Sequence, residues 1–128
     1  EVIRELGLQG IETVHGRAED AARKQEYREQ YDLSVSRAVS RLAALCEYCM
    51  PYVKEGGLFV SYKSGKASEE LVEAQKAISV LGGKVMKEED FKLYGTDMDR
   101  TLLVIQKVKN TSKKYPRKAG TPAKEPIL

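Results

Sequence analysis

The stretch that decides the fold is Tyr31 to Gly65, YDLSVSRAVSRLAALCEYCMPYVKEGGLFVSYKSG. It opens on a short strand around Leu33 to Val35, turns through a polar elbow and enters an amphipathic helix at Ser40. Leu42, Leu45, Cys46, Cys49 and Val53 recur at three- and four-residue steps, which places them on one helical face. Gly56-Gly57 is expected to end that helix, because glycine takes the left-handed turn at a helix stop. Leu58 to Tyr62 (LFVSY) then reads as a second, apolar strand of the kind a buried parallel sheet requires. Strand, helix and strand make half of a doubly wound α/β domain, in which ligands bind just beyond the carboxyl ends of the strands. Ser36, Arg37 and Ala38 fall at that edge, and Lys63 leaves the next strand there too. Two cations at adjacent strand ends point to an anionic or electron-rich partner.

Working outward, Ile11 to His15 (IETVH) alternates as a short strand does, Gly16 to Asp20 forms a second elbow, and Ala21 to Gln30 is expected to be a charged helix. Downstream, Ala67 to Leu81 reads as a helix with Leu71, Ala74, Ile78 and Leu81 inward and Gly82-Gly83 as its stop. Lys84 to Leu93 and Thr101 to Val108 are two further strands. The link between them, Tyr94 to Arg100, is too short for a parallel crossover, so this last pair is an antiparallel hairpin. The fold class is therefore α/β, with an antiparallel final pair that distinguishes the class I methyltransferase sheet from an all-parallel dinucleotide-binding one.

The 128 residues, 41% hydrophobic and 32% charged, suit one domain with a real core. No apolar run approaches the ~20 residues of a spanning helix, and no signal peptide is visible, which predicts a cytoplasmic protein without a membrane partner. The chain opens on Glu1, and Glu1 to Leu8 reads as the closing turns of an amphipathic helix, the expectation for a piece of something longer. From Lys107 onward there are seven Lys or Arg against Glu125 alone, net +6, while the remainder carries 15 bases and 18 acids, net −3. The chain thus divides into a body, residues 1–108, and a basic, proline-containing tail, residues 109–128. Lys113, Lys114, Tyr115, Arg117 and Lys118 are the nucleic-acid candidates in it: prolines favour an extended chain, a flanked tyrosine stacks on a base, and the cations neutralise phosphates. The competing interpretation is a solvated, disordered end.

Cys46 and Cys49 form a C-x-x-C inside the helix rather than at its start, where a redox pair belongs. The one histidine, His15, lies far off, and a zinc site needs four ligands, so no metal is expected and the cysteines read as small buried apolar groups.

The segments HGRAED (15 to 20), YDLSVSRAV (31 to 39), MPYVKEGGLFVSYKSG (50 to 65), DRTLLVIQKVKNT (99 to 111) and KKYPRKAGTPAKEPI (113 to 127) resemble the RsmG family, also called glucose-inhibited division protein B. Its members methylate N7 of a guanine in 16S ribosomal RNA. The resemblance implies S-adenosyl-L-methionine as cofactor and 16S ribosomal RNA or the small ribosomal subunit as partner. It implies that Ala18 and Glu19 meet the adenosine moiety, that Arg37 is the cofactor-site arginine, and that Lys63 and Arg100 lie near the substrate-facing edge. Guanine N7 has a free lone pair, so alignment and charge stabilisation suffice without a general base. The family's first strand with its glycine-rich loop, and its second strand, find no match here. Two strands would be lacking between Ile11 and Leu33, an opening of roughly 10–15 Å with two unpaired edges. The alternative is a non-catalytic RNA-binding module that uses the tail. On the sequence alone, removing Lys113 onward weakens RNA binding and flattens its salt dependence, to be checked by affinity measured across a salt series.

Overall fold

The computed structural model describes residues 1–37, 40–64 and 68–128. Ala38 of the elbow, Gly65 and the Ala67 helix start therefore lie outside the described residues. Four strands, β1 (Tyr31–Arg37), β2 (Val53–Ser64), β3 (Gly83–Lys92) and β4 (Asp99–Lys107), form one sheet in the order β1-β2-β4-β3. β1 runs parallel to β2, and β4 is antiparallel to both its neighbours. The expected hairpin is present, with its second strand inserted beside β2. This mixed α/β sheet is the expected class.

Period-two burial along the strands sets the two faces. In β2 and β4, Phe59, Ser61 and Lys63 and Thr101, Leu103, Ile105 and Lys107 are buried, while the residues between them are half-exposed. The buried face is covered by α3 (Leu42–Cys49) and α5 (Gln75–Val80), so the core joins Phe59, Leu103 and Ile105 to Leu42, Leu45, Cys46, Met50, Ile78 and Leu81. Full burial of each large side chain contributes about 1.5–3 kcal/mol. The helix α4 (Ser68–Glu73) precedes α5, and Ala74 separates them where one continuous helix was expected. Gly82 stops α5 as predicted: its φ is +89°, and a Cβ there would sit 2.2 Å from the Lys109 carbonyl oxygen.

Three expectations are corrected. The main helix does not reach Gly56-Gly57. Pro51 has no N–H to donate, α3 closes at Cys49, and the chain passes through a 3-10 turn, Met50–Tyr52, straight into β2. Gly56-Gly57 lies inside β2 where its register with β1 shifts, and a Cβ on Gly57 would meet the Asp32 carbonyl oxygen at 2.7 Å. Ile11 to His15 is exposed and forms no strand, so β1 is an edge strand of the sheet and, among the described residues, no second strand edge faces it. The 21–30 segment is not a helix: α2 (Ala18–Ala21) is a single turn followed by turns up to Gln30. Its backbone bonds mostly within the segment, the Glu29 amide donating to the Pro51 carbonyl at 2.8 Å, and its side chains reach elsewhere. At the amino end α1 (Val2–Glu5) is likewise one turn.

Lys107 ends β4 on the buried face and is fully enclosed. Its Nζ donates to the carbonyl oxygens of Met50 at 2.9 Å and Val53 at 2.8 Å and lies 3.1 Å from Glu29 Oε2. The first acceptor also receives the Val53 amide within the 3-10 turn, and the second belongs to the first residue of β2. Burial lowers the ammonium pKa, and the Glu29 carboxylate opposes that shift. Lys107→Met takes the buried ammonium away from Glu29 and two carbonyls, and is expected to cost about 3–5 kcal/mol in urea unfolding. A loss below ~1 kcal/mol would show that the ammonium is dispensable.

Candidate functional site

Along the free edge of β1 runs a groove of about 470 Å³. One wall is β1 itself, with Tyr31, Leu33, Ser34 and Val35; the other is the 12–21 segment with Gly16, Arg17, Ala18 and Ala21. Tyr27 and Tyr52 complete the lining. Tyr52 comes from the 3-10 turn, its ring 6.3 Å from that of Tyr31 and tilted by 55°. Its hydroxyl donates to the Ala18 carbonyl at 2.7 Å, so the turn that ends α3 fixes the start of α2. Burial pushes the Tyr52 phenol up to about 12, which keeps it a neutral donor. The lining mixes apolar and aromatic side chains with the polar Glu12, Arg17 and Ser34, and the volume lies in the usual range for small-molecule sites.

A second hollow of about 480 Å³ adjoins the first at Val35 and is lined by Ser36, Arg37, Val60, Tyr62 and Leu102. It lies on the sheet face opposite α3 and α5. Arg37 pairs with Tyr62 across β1 and β2, and Arg100 pairs with Ser64 across β2 and β4. The two arginines therefore flank Tyr62 at the carboxyl end of the parallel strands. The Tyr62 ring packs 6.3 Å from that of Phe91.

The predicted site residues separate into those that meet this surface and those that do not. Ala18 lines the groove and Arg37 the adjoining hollow, its side chain exposed. Arg100 is half-buried, with its guanidinium donating to the Asp99 carbonyl at 2.8 Å. Lys63 is not a free cation at the strand end. It shares the parity of Phe59 and Ser61, so the sheet turns it under the helices, where Nζ donates to Ser40 O at 2.9 Å and Glu70 Oε1 at 2.8 Å. Glu70 also accepts from the Leu42 amide, so this ion pair fastens α4 to the start of α3.

Glu19 turns away from the groove. Only 3% exposed, its Oε2 accepts from the Gly120 amide at 2.9 Å and from Arg17 at 3.3 Å. Burial raises its pKa, but the Gly120 amide, its own amide and Arg17 outweigh that and leave it below the ordinary 4.5.

The tail, expected as an extended arm, folds back on the body. Arg28 donates to the carbonyls of Tyr115, Thr111 and Ser112, and Arg23 to that of Pro116. Arg117 is not available for phosphate: Nε and NH2 clasp Glu47 of α3, with the Arg117 amide 2.7 Å from Glu47 Oε2, and Glu47 is fully buried. Tyr115 packs against the core rather than standing free, its ring 5.7 Å below Lys114 Nζ. Lys113, Lys114 and Lys118 remain exposed. Sequence reading missed Glu47, Tyr52, Arg23 and Arg28 as organising residues. An acid amid the apolar run LAALCEYC was the one signal that α3 is covered on its outer side as well.

Cys46 is buried and Cys49 half-buried, and both are free. Burial pushes the Cys49 thiol up to about 11 and that of Cys46 higher still, so both fit the apolar role expected for them. Among the described residues no group of three or more His, Cys, Asp or Glu is placed to hold a metal. No described helix is long and apolar enough to cross a membrane.

Comparison with known proteins adds to this geometry. The model of the family described as rRNA small subunit methyltransferase G matches residues 1–102. Proteins named ribosomal RNA small subunit methyltransferase G are 55% identical over 128 residues in Lachnoclostridium phytofermentans and 52% identical over 127 residues in Lactobacillus helveticus. All or 99% of this chain is covered, and 53% of each relative, so the chain spans about half the length of the curated relatives it matches. Among solved structures, an arsenic(III) S-adenosylmethionine methyltransferase from Chlamydomonas reinhardtii superposes with a TM-score of 0.47 at 12% identity, over 85% of this chain and 48% of that one.

Because the folded Glu19 pKa is depressed, its contribution is fully present above the ordinary value of 4.5 and lost as pH falls through the lower folded value. Glu19→Gln is therefore expected to flatten the acid limb of a stability–pH curve below about pH 4.5, measured by urea midpoints. An unchanged acid limb would place the proton uptake elsewhere.

Proposed function

Because the chain belongs to the rRNA small subunit methyltransferase G family, we propose that it carries part of the site with which such an enzyme transfers a methyl group from S-adenosylmethionine to N7 of a guanine in 16S ribosomal RNA. The observation that supports it most is the groove beside β1, continuous at Val35 with the hollow that holds Arg37.

The residues present fit the cofactor. Tyr31 and Tyr52 offer aromatic surface to an adenine, and Leu33 and Val35 an apolar floor. Ala18 presents backbone and a small side chain where a larger one would narrow the groove. Arg37 is the exposed cation next to it, suited to the carboxylate end of an amino-acid moiety. Bound there, S-adenosylmethionine supplies a sulfonium-activated methyl group. Arg100 and Tyr62 lie on the same open face at the strand ends, where the guanine would be received: the arginine favours O6, and the ring offers a stacking surface. A lone pair on N7 needs no base, so positioning by these groups is the contribution required of them.

The test is transfer of labelled methyl from S-adenosylmethionine to 16S ribosomal RNA by the intact protein, with N7-methylguanine identified by mass spectrometry. Arg37→Ala is expected to raise the cofactor KM about tenfold, the loss of one charge-assisted hydrogen bond. RNA binding without cofactor binding or methyl transfer would overturn the reading in favour of a non-catalytic RNA-binding module.

A further inference from the structure

We propose that the folded-back tail is a strap that positions the cofactor groove, with Arg117 and Gly120 as its positioning residues; this rests on the groove being the cofactor site. The 17–29 segment has two sides. Arg17, Ala18, Ala21 and Tyr27 line the groove, whereas Glu19, Arg23, Arg28 and Glu29 face the tail. The segment belongs to no strand, and its one helix, α2, is a single turn, so its own backbone gives it little rigidity.

Its position is set from outside at both faces. On the groove side, the Tyr52 hydroxyl holds the Ala18 carbonyl at 2.7 Å. On the far side the next residue, Glu19, is held by the Gly120 amide at 2.9 Å. Arg23 and Arg28 reach four tail carbonyls, and Glu29 Oε2 accepts from the Thr111 amide at 3.0 Å. The tail in turn is anchored to α3 by the clasp of Arg117 on buried Glu47, and Arg117 NH2 continues to the Glu125 carbonyl at 2.6 Å. Its backbone thus faces the segment that walls the groove, while Lys113, Lys114 and Lys118 point to solvent. An arm built only to hold phosphates would leave those backbone groups to water.

The strap and a pure RNA arm give opposite results. In the intact protein, Arg117→Ala is expected to raise the Kd for S-adenosylhomocysteine, read by calorimetry, about tenfold, and to speed amide exchange in residues 17–29, with the RNA KM unchanged. Arg117→Lys keeps the charge without the planar fork and restores part of the affinity. Lys113→Ala with Lys114→Ala should do the reverse, weakening RNA and leaving the cofactor Kd alone. Should Arg117→Ala fail to fold, reciprocity supplies a measurement on the unaltered protein. Saturating S-adenosylhomocysteine should then slow tryptic cleavage after Lys113, Lys114 and Lys118. Unchanged cofactor Kd and unchanged 17–29 exchange in Arg117→Ala, or cleavage indifferent to the ligand, would overturn the strap. Failure of the unaltered protein to bind S-adenosylhomocysteine would overturn the cofactor reading instead, and exchange at 17–29 in Arg117→Ala would still decide whether the strap positions that segment.

Discussion

The rest of the structure depends on a buried ammonium. Lys107 sits where three separate pieces of chain must meet: the end of β4, the turn from α3 into β2, and the loop carrying Glu29. Each brings a polar group. The turn brings the Met50 carbonyl, β2 starts with that of Val53, and Glu29, at φ +53°, brings a carboxylate. A single cation contacts all three acceptors at once. Burying an isolated ammonium is prohibitively unfavourable, so the geometry is tolerated only because every N–H finds an acceptor. The price is rigidity, for none of the three pieces moves without exposing the others.

From that node the arrangement propagates to both the groove and the tail. Glu29 passes the constraint to the tail through the Thr111 amide, and the neighbouring Arg28 gathers three tail carbonyls. On the other side the same turn delivers Tyr52 to the groove and to Ala18. The tail, the 17–29 segment and the groove wall form one chain of charge-assisted and buried hydrogen bonds rather than a body with an appendage. Such bonds are stronger than neutral ones and depend on orientation, which suits a wall with little secondary structure of its own.

The sheet was legible because it obeys short-range rules. The apolar, β-branched and aromatic run LFVSY and the run TLLVIQKV gave β2 and β4, the short polar link gave the hairpin, and the steps at Ala74, Ile78 and Leu81 gave the inner face of α5. The period-two burial that the structure shows in β2 puts Lys63 on the side of Phe59 and Ser61, but a lysine at a strand end reads as a surface cation until a partner such as Glu70 is known. Cys46 and Cys49 were recognisable as packing groups from their place inside a helix. The helix end was misplaced because two glycines are a stronger textual signal than one proline, whereas the missing N–H of Pro51 acts first along the chain.

What the sequence by itself determined is the order of elements from β1 onward, the antiparallel ending, the identity of most core residues and the resemblance that the family match bears out. Tertiary structure alone decided which charges are free. Glu19, Lys63 and Arg117 read as site residues along the chain, Glu47 and Lys107 were given no site role, and all five are buried or clasped once partners up to about a hundred residues away arrive. The physical reason is that hydrophobic periodicity is a property of neighbours in sequence, while burying a charge depends on a partner that sequence distance conceals. Among the predicted site cations, Arg37, Arg100, Lys113, Lys114 and Lys118 are what remains after those pairings are made.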